Sequence, residues 1–308
     1  MGSRGGWRAL IVPHRRRSPV AVLDTGIDAS HPAFSGINIV EEDFTSEGNG
    51  DNNGHGTHCA GTILGRDVDG TTIGVARGAT ELLAGKVLGE GGEGGGGTDG
   101  IADAIKWAID GGASIVSMSL GIDFPGFVAS LVASGWETEP ATSRALAAYR
   151  DNLRLLEALA QYVTARANFG KTAVLVAASG NESRRAQEPP YTIDVAVPAA
   201  SQGFVSVGAL EQISDGLGIA SFSNTGPRIS GPGVDVISAW PGGGLRSLSG
   251  TSMATPHVAG VAALWAEEML ERSGAIDPNL LADRVIGNAR FIDTLAFADQ
   301  GAGIVQAP

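Results

Sequence analysis

Three residues whose side chains could act together in catalysis lie in separate glycine-containing segments of the 308-residue chain. Ser252 follows Gly250-Thr251 and precedes an apolar run that is typical of a buried helix. A hydroxyl at such a turn is exposed, and the amino-terminus of the helix stabilises negative charge that develops there. Serine alone is a weak nucleophile, so a catalytic role requires a base and a group that orients the base.

Candidates for both partners lie upstream of the serine. His55 stands between two glycines, and its imidazole could accept and return a proton near neutral pH. Asp24 ends the apolar run 20–23, where its carboxylate could fix the tautomer of His55 and stabilise the imidazolium. The three residues therefore predict acyl transfer by an activated serine.

Two other chemistries fit parts of this pattern less well. Asp24-Thr25-Gly26 also resembles half of an aspartic protease site, but the sequence has no second Asp-Thr-Gly or Asp-Ser-Gly. That mechanism depends on two carboxylates that share a proton. His55 and His58 offer two metal ligands at most, and the sequence has no His-Glu-x-x-His segment. Neither an aspartic nor a metal-dependent mechanism is favoured.

The segments around Asp24, His55 and Ser252, in this order along residues 20–260, resemble those of the subtilisin-like serine proteases, nearest to the proteinase K-like branch. The resemblance implies that these residues form a catalytic triad. It also implies an oxyanion hole, because Ser179-Gly180-Asn181 matches the family segment whose asparagine side chain donates to the oxyanion. The backbone N–H of Ser252 would be the second donor.

Alternating strands and helices indicate an α/β fold. Short apolar runs at 20–23, 82–88, 115–120 and 172–178 predict strands buried on both faces, as in a parallel sheet. Helical periodicity covers 101–110, and 252–269 predicts a long buried helix. We therefore predict a doubly wound, mainly parallel β-sheet flanked by helices, and the resemblance implies the same three-layer fold.

The domain prediction is an N-terminal arm or expression remnant at 1–17, and a subtilisin-like peptidase domain at 18–308 with an insertion near 122–145. Residues 144–168 predict a helix whose apolar face comprises Leu146, Leu153, Leu156, Leu159, Ala160 and Val163. The favoured interpretation is a covering helix with a decorated loop. A role of 121–140 in binding a partner or gating substrate stays open.

Substrate contacts follow from the resemblance. The glycine-rich segment 90–97 is either a flexible surface loop or an edge that pairs with extended substrate, through Gly95, Gly96 and Gly97. The walls of the first specificity pocket would be Ser119, Leu120 and Gly121 on one side, with Ala178, Ser179 and Gly180 on the other, and Ala196 near its base. These residues are small and uncharged, so an apolar residue before the scissile bond (P1) is expected. A cis bond before Pro198 is also implied.

The sequence departs from the family at its calcium sites. Ala33 follows His31-Pro32 where many relatives have an aspartate, the loop at 65–74 is short, and no aspartate precedes Gly231. Calcium favours several oxygen ligands, usually including carboxylates. We predict no inherited calcium site, no other metal and no cofactor, while Asp51, Asp67 and Asp69 remain candidates for a different site.

Composition limits the alternatives further. A net charge of −12 argues against nucleic-acid binding and anionic membranes, and no run of about 18 apolar residues predicts a membrane helix. The single cysteine, Cys59, excludes an internal disulfide, and it would share a helical face with His55. No secretory signal is recognisable, which favours a cytoplasmic location over a secreted enzyme whose leader was removed.

The predicted function is that of a serine endopeptidase acting on peptides or proteins, restrained by an inhibitory propeptide or a regulatory partner. A transpeptidase or macrocyclase, in which an amine replaces water, is the nearest alternative. A protease-like binding module would normally have lost a triad or oxyanion residue, and Asp24, His55, Asn181 and Ser252 are all present.

Overall fold

A computed structural model describes residues 19–91, 97–167, 171 and 173–308 of the chain. Its strands within these residues are β1 Val20–Asp24, β2 Asn38–Asp43, β3 Glu81–Lys86, β4 Ile115–Met118, β5 Val174–Ala178, β6 Phe204–Ile213, β7 Gly216–Ile219, β8 Ile229–Pro232, β9 Val236–Trp240 and β10 Gly244–Leu248. The helices of the same ranges are α1 His55–Leu64, α2 Gly97–Asp110, α3 Phe124–Ala133, α4 Thr138–Arg166, α5 Thr251–Ser273, α6 Pro278–Gly287 and α7 Phe297–Gln300.

The main sheet has the strand order β2-β3-β1-β4-β5-β6-β7, and β8 also pairs with β6. All of these pairings are parallel except that of β6 with β7. Strands β9 and β10 form a separate antiparallel hairpin. Strands β2 and β3 lie on one side of β1, and strands β4 to β7 follow in order on its other side. The predicted doubly wound, mainly parallel fold is therefore confirmed.

Helices cover both faces of this sheet and produce the three layers. Along β1, Val20 and Val22 contact a core shared with α1 and α5. Ala21 and Leu23 point the other way, into a core shared with α2 and α4. Because successive side chains of a strand alternate between its faces, a strand that is apolar at every position must be covered on both sides.

The carboxyl ends of the central strands determine where functional side chains meet. Asp24 is the last residue of β1, and Ser119 directly follows β4. Asn181 follows β5 by three residues. In a doubly wound sheet, ligands bind at the carboxyl ends beside the point where the strand order reverses. Segments far apart in sequence therefore converge at this edge.

The segment near 122–145 contains a helical hairpin. Helix α3 begins after Asp123, whose carboxylate accepts a hydrogen bond from the backbone N–H of Gly126 (2.8 Å), and it has no buried residue. Helix α4 begins at Thr138, before the predicted start at 144, because Pro140 is tolerated in a first helical turn. The prediction for Leu146 was wrong: this residue is 56% exposed, whereas Leu156, Leu159, Ala160 and Val163 are buried.

Two smaller predictions are confirmed by the structure. The Val197–Pro198 peptide bond is cis. Cys59 lies in α1 one turn after His55 and is fully buried. Among the described residues, no helix has the length and apolar character needed to cross a membrane.

Candidate active site

A cleft of about 570 Å³ opens at the carboxyl ends of β1, β4 and β5. Its walls combine strand ends, the start of α1, the start of α2 and the start of α5. His55, Asn181 and Ser252 all line this cleft. Asp24 lies behind His55 and is buried. The fold thus brings four residues from four separate segments to one place.

Asp24 and His55 form a short hydrogen bond. The Nδ1 atom of His55 lies 2.7 Å from Oδ1 of Asp24. Nδ1 therefore carries the proton and donates a hydrogen bond to the carboxylate. Nε2 is then the unprotonated nitrogen, and it accepts no hydrogen bond from any residue in the described ranges. The other face of the ring is open, since 26% of the His55 side chain is exposed. This tautomer suits a general base that faces the cleft.

The charge of Asp24 controls the basicity of this imidazole. Burial by itself lowers the pKa of His55, but the adjacent Asp24 carboxylate raises it, and the net result lies well above the ordinary value of 6.5. The Cys59 thiol, 3.9 Å from Nδ1 of His55, also raises the pKa of His55, and burial raises the pKa of Cys59 itself. His55 is therefore a stronger base than a free histidine.

A buried carboxylate outside the triad holds the start of α1. Oδ1 of Asp51 accepts hydrogen bonds from the hydroxyl of Thr25 (2.9 Å) and from the backbone N–H groups of Asn53 (3.1 Å) and Gly54 (2.7 Å). Oδ2 accepts from the backbone N–H and the hydroxyl of Thr57 (2.9 and 2.6 Å). Asp51 thereby joins the end of β1 to the first turn of α1.

A glycine is required just before His55. Gly54 has φ +101°, and a Cβ atom there would lie 2.6 Å from the ring of Trp240 on β9. Only glycine combines this left-handed backbone with so close an approach. The hairpin β9–β10 thus packs directly on the residue that precedes the proposed base.

Ser252 is the second residue of α5, where the helix dipole favours negative charge. Its hydroxyl donates to the carbonyl of Ser119 (3.2 Å), and the Ser119 hydroxyl donates to the Ser252 carbonyl (2.8 Å). The Ser252 hydroxyl therefore points away from His55 in this structure. Both side chains line the same cleft, and catalytic hydrogen bonds are often absent before substrate binds. The Ser–His pair therefore requires the Ser252 hydroxyl to leave the Ser119 carbonyl.

Two hydrogen-bond donors converge beside Gly250. The Oδ1 atom of Asn181 accepts from the backbone N–H and the hydroxyl of Thr251 (2.8 and 3.0 Å), which leaves its Nδ2 group to face outward. A Cβ atom built on Gly250 would lie 3.6 Å from the backbone nitrogen of Ser252 and 3.8 Å from Nδ2 of Asn181. The two predicted oxyanion donors therefore border the same small space next to the proposed nucleophile.

Comparisons with known proteins agree with this geometry. Residues 16–302 match the sequence profile of the Subtilase family. The chain belongs to the subtilase family.

The subtilase chain is 36% identical to a thermostable alkaline protease of Halalkalibacterium halodurans over 293 residues, which cover 94% of this chain and 66% of that protein. It is 36% identical to proteinase R of Parengyodontium album, over 79% of this chain and 52% of the relative. An intracellular serine protease of Paenibacillus polymyxa is also 36% identical, over 80% of this chain and 65% of the relative. The chain thus spans between about half and two thirds of the length of these curated relatives.

Solved structures give the same fold. A serine-to-alanine mutant of the protease domain of PatA superposes with a TM-score of 0.67 at 27% sequence identity. The match covers 94% of this chain and 92% of the PatA domain. The core of the fold is therefore shared over nearly the whole chain.

The residues of this subtilase that were predicted to contact substrate fall into three groups: those that line the cleft, those outside the described residues, and those that lie elsewhere. Lining the cleft are Gly97, Ser119, Leu120, Gly121, Ala178 and Gly180. Gly95 and Gly96 lie outside the described residues. Ser179 does not line the cleft: its side chain is fully buried, because its backbone is tied to β6 and to the segment around Ala196.

Ala196 lies on an adjacent cavity rather than on the cleft. This second cavity, of about 390 Å³, is mostly apolar and is called here the side chamber. It shares Ile122 and Glu182 with the cleft, and four of its wall residues come from the helical hairpin: Phe124, Pro125, Leu146 and Tyr149. The rings of Phe124 and Tyr149 meet edge to face at 5.8 Å between centroids. The helical hairpin therefore forms part of the wall of a cavity that adjoins the cleft.

Two of the alternative calcium ligands named from sequence, Asp51 and Asp67, have other partners in the structure. Both carboxylate oxygens of Asp51 are occupied by the hydrogen bonds to α1, and Asp67 pairs with Arg77 (2.8 Å). Among described histidine, cysteine and acidic residues, the one convergent group of three is Asp24, His55 and Cys59, which is the triad pair with its neighbouring thiol. Asp51 is a structural residue of the subtilase.

Neither His58 nor His257 lines the cleft. The Nε2 atom of His58 lies 3.0 Å from the Val236 carbonyl and 3.1 Å from the Arg246 carbonyl, so it donates to the β9–β10 hairpin. Burial lowers the pKa of His58 to about 4, so the ring is neutral. His257 donates from Nδ1 to the Met253 carbonyl within α5. His55 and His58 therefore do not form a metal site.

Sequence reasoning missed several residues that shape this site. Glu182 lines both the cleft and the side chamber, and Thr251 fixes the Asn181 side chain. Each lies beside a residue that the motifs identified, Glu182 after Asn181 and Thr251 before Ser252, so adjacency was a usable signal. Asn224 contacts the Asn181 segment from 43 positions away, and no local pattern marks it.

Replacement of Asn181 by alanine is expected to lower kcat by about 10²–10³, the range found for the equivalent loss in subtilisin. KM should change little, because Nδ2 interacts most strongly with the charge that forms in the transition state. Steady-state kinetics on a peptide amide measure both constants. An unchanged kcat would show that Asn181 is a turn residue with no catalytic contact.

Proposed function

We propose that this subtilase is a serine endopeptidase that hydrolyses peptide bonds through an acyl-enzyme. The observation that carries the proposal is the convergence of the Asp24–His55 pair, Ser252 and Asn181 on one cleft. Proteases that are 36% identical to this chain support it.

In the proposed mechanism each residue has one role. Nε2 of His55 removes the proton of the Ser252 hydroxyl as the oxygen attacks the substrate carbonyl. Nδ2 of Asn181 and the N–H of Ser252 donate to the resulting oxyanion, and Asp24 stabilises the imidazolium. His55 then protonates the leaving amine. Water, activated by the same imidazole, attacks the acyl-enzyme and releases the second product.

The test of this function is product analysis. Purified protein is incubated with an unstructured polypeptide, with and without a second peptide that carries a free amino-terminus. Mass spectrometry should show hydrolysis products of internal bonds, absent with the Ser252→Ala variant. Ligated or cyclic products in excess of hydrolysis would support the transpeptidase alternative instead.

We further propose that the P1 side chain is apolar and enters the side chamber. Ser119, Leu120 and Gly121 form one wall of the cleft beside the nucleophile, and Ile122 continues this wall into the chamber. Ala196, expected at the base of the specificity pocket, lies on the chamber. Glu182 at the shared rim disfavours an acidic P1 residue because like charges repel.

Phe124→Ala is expected to lower kcat/KM about tenfold or more for peptides with an aromatic P1 residue, and to leave peptides with alanine at P1 unchanged. The reason is that a large side chain loses its ring contact, whereas a methyl group never reached it. A peptide series that varies only P1 measures this ratio. Phe127→Ala is the matched control, because Phe127 is on the same helix, exposed and outside the chamber. Equal P1 profiles for wild type and Phe124→Ala would contradict the assignment.

We propose that this subtilase holds no inherited calcium. A ligand stabilises a protein only by binding the folded state in preference to the unfolded chain. The melting temperature is therefore expected to differ by less than about 2 °C between excess calcium and excess chelator. A rise of about 10 °C with calcium, equal to several kcal/mol at this chain length, would contradict this proposal. Differential scanning calorimetry gives the comparison directly.

A further inference from the structure

Asn224 is a fully buried polar residue (0% exposed) that lies beneath the segment carrying Asn181. Its Oδ1 atom accepts from the backbone N–H groups of Glu182 (3.1 Å) and Ser183 (3.0 Å), and from the Ser183 hydroxyl (3.1 Å). Its Nδ2 group lies near the Ser179 carbonyl (3.2 Å), a Glu182 carboxylate oxygen (2.6 Å) and the Asp194 carbonyl (3.2 Å). The Asn224 amide therefore accepts from N–H and hydroxyl groups of residues 182–183, and its Nδ2 group faces acceptor oxygens of residues 179 and 182.

The backbone of Asn224 adds a seventh contact. Its N–H donates to the Gly180 carbonyl (3.1 Å). Gly180 has φ +108°, and a Cβ atom there would lie 2.4 Å from Nδ2 of Asn224. The turn can therefore pack on Asn224 only because position 180 is glycine. Contacts on both sides of Asn181 come from this one residue.

Asn181 has a second, separate anchor. Thr251 fixes the rotation of the Asn181 side chain through its Oδ1 atom, and the Thr251 hydroxyl also accepts from the Gly180 N–H (3.2 Å). Thr251 thus sets which way Nδ2 of Asn181 points, whereas Asn224 sets where its backbone lies. An oxyanion donor needs both, because donors must already stand at the position where charge develops.

We propose that Asn224 is a positioning residue for the oxyanion hole and acts on catalysis through Asn181. The proposal rests on the proposed endopeptidase function. Without the Asn224 side chain, several buried groups of residues 179–183 lose their partners, and the segment must shift to find others. A displacement of about 1 Å at a catalytic group can cost 10²-fold in rate.

The test is a double-mutant cycle between Asn224 and Asn181. Asn224→Ala in the otherwise native chain should lower kcat per titrated active site by about 10²-fold, with KM changed less than about threefold. In the Asn181→Ala background the same substitution should lower kcat by less than about threefold, because the donor it positions is already gone. Active sites are counted with a fluorophosphonate so that unfolded protein does not enter the rate.

Gln300→Ala is the matched control for stability. Gln300 is also fully buried, and its amide bonds the backbone of Ile292 and Leu295 outside the cleft. This variant should lose melting temperature as Asn224→Ala does, while its kcat per titrated site stays within about twofold of wild type. If Asn224→Ala does not fold, Asn224→Asp keeps the acceptor, loses the donors and enters the same cycle.

Equal losses of kcat in the two backgrounds, or no loss in either, would overturn the role of Asn224. Failure of the proposed function looks different: the wild-type chain would then neither hydrolyse peptides nor react with the fluorophosphonate. The Asn181→Ala chain retains the nucleophile, so its kcat shows whether the oxyanion donor itself contributes to catalysis. This result is needed before the kcat of Asn224→Ala can be interpreted.

Discussion

Replacement of Ser252 by alanine is expected to lower kcat for peptide hydrolysis by about 10⁶, the size of the effect in subtilisin. The reason is that the acyl-enzyme route loses its nucleophile. The hydroxyls of Thr251 and Ser119, which also line the cleft, are held by hydrogen bonds to Asn181 and to the Ser252 carbonyl. Residual catalysis should come from the oxyanion donors acting on water. Single-turnover kinetics at high enzyme concentration can measure a rate constant that is lower by this factor.

Ser249→Ala is the matched control for this substitution. Ser249 lies three residues earlier in the same segment, is exposed, and accepts a hydrogen bond from the backbone N–H of Asp235 (2.9 Å). Its loss should leave kcat within about twofold. A Ser252→Ala chain with more than a few per cent of native activity would mean that another group is the nucleophile.

Asp24→Asn is expected to lower kcat by about 10⁴, the loss seen when this residue is replaced in serine proteases. An amide can hold the wrong tautomer of His55, with the proton on Nε2, and it cannot stabilise the imidazolium. The variant should still fold. Oδ1 of Asp24 accepts a hydrogen bond from the backbone N–H of Thr25 (2.8 Å), and the amide oxygen of asparagine can accept the same bond. KM should change much less than kcat.

The same variant makes a prediction about pH. Neutral His55 is the active form, so kcat/KM of the native enzyme should rise with pH through a midpoint well above 6.5. Asp24→Asn removes the carboxylate charge that raises the pKa of His55, whereas burial still lowers this pKa, so the midpoint should move to lower pH. The raised pKa also means that the His55–Asp24 pair stabilises the fold below pH 6.5 and that this contribution is lost as pH rises through the folded-state pKa. A midpoint that stays in place would show that Asp24 does not control His55.

The triad could be predicted from sequence because each member has a local signal. Asp24 ends an apolar strand, His55 begins a helix between glycines, and Ser252 begins a buried helix. Parallel strands bring their carboxyl ends to one edge, so a βα alternation already implies that such residues meet. Local pattern and fold topology were sufficient for these positions.

Contacts between distant segments could not be predicted in this way. Asn224 lies between serine and threonine in a segment that resembles an ordinary turn, and only the folded chain places its amide under residues 179–183. Asp51 was considered as a calcium ligand because an exposed acid and a buried acceptor of backbone N–H groups look the same in a sequence. Tertiary hydrogen bonds decide between these roles.

The helical hairpin was only partly predictable for a related reason. Helix α3 has no buried residue, so no amphipathic period distinguishes it from a loop. Its capping residue, Asp123, with Pro125 close behind, is the signal that could have identified it. Leu146 follows the helical period of α4 but lies over the side chamber instead of the core.

The central claim, that Ser252 is the nucleophile of this subtilase, is tested most directly by locating a covalent label. The protein is treated with a fluorophosphonate, digested with a second protease, and sequenced by tandem mass spectrometry. One adduct per chain is expected, on Ser252, formed faster as pH rises through the pKa of His55. An adduct on a different residue, or hydrolysis that continues in fully labelled protein, would contradict it.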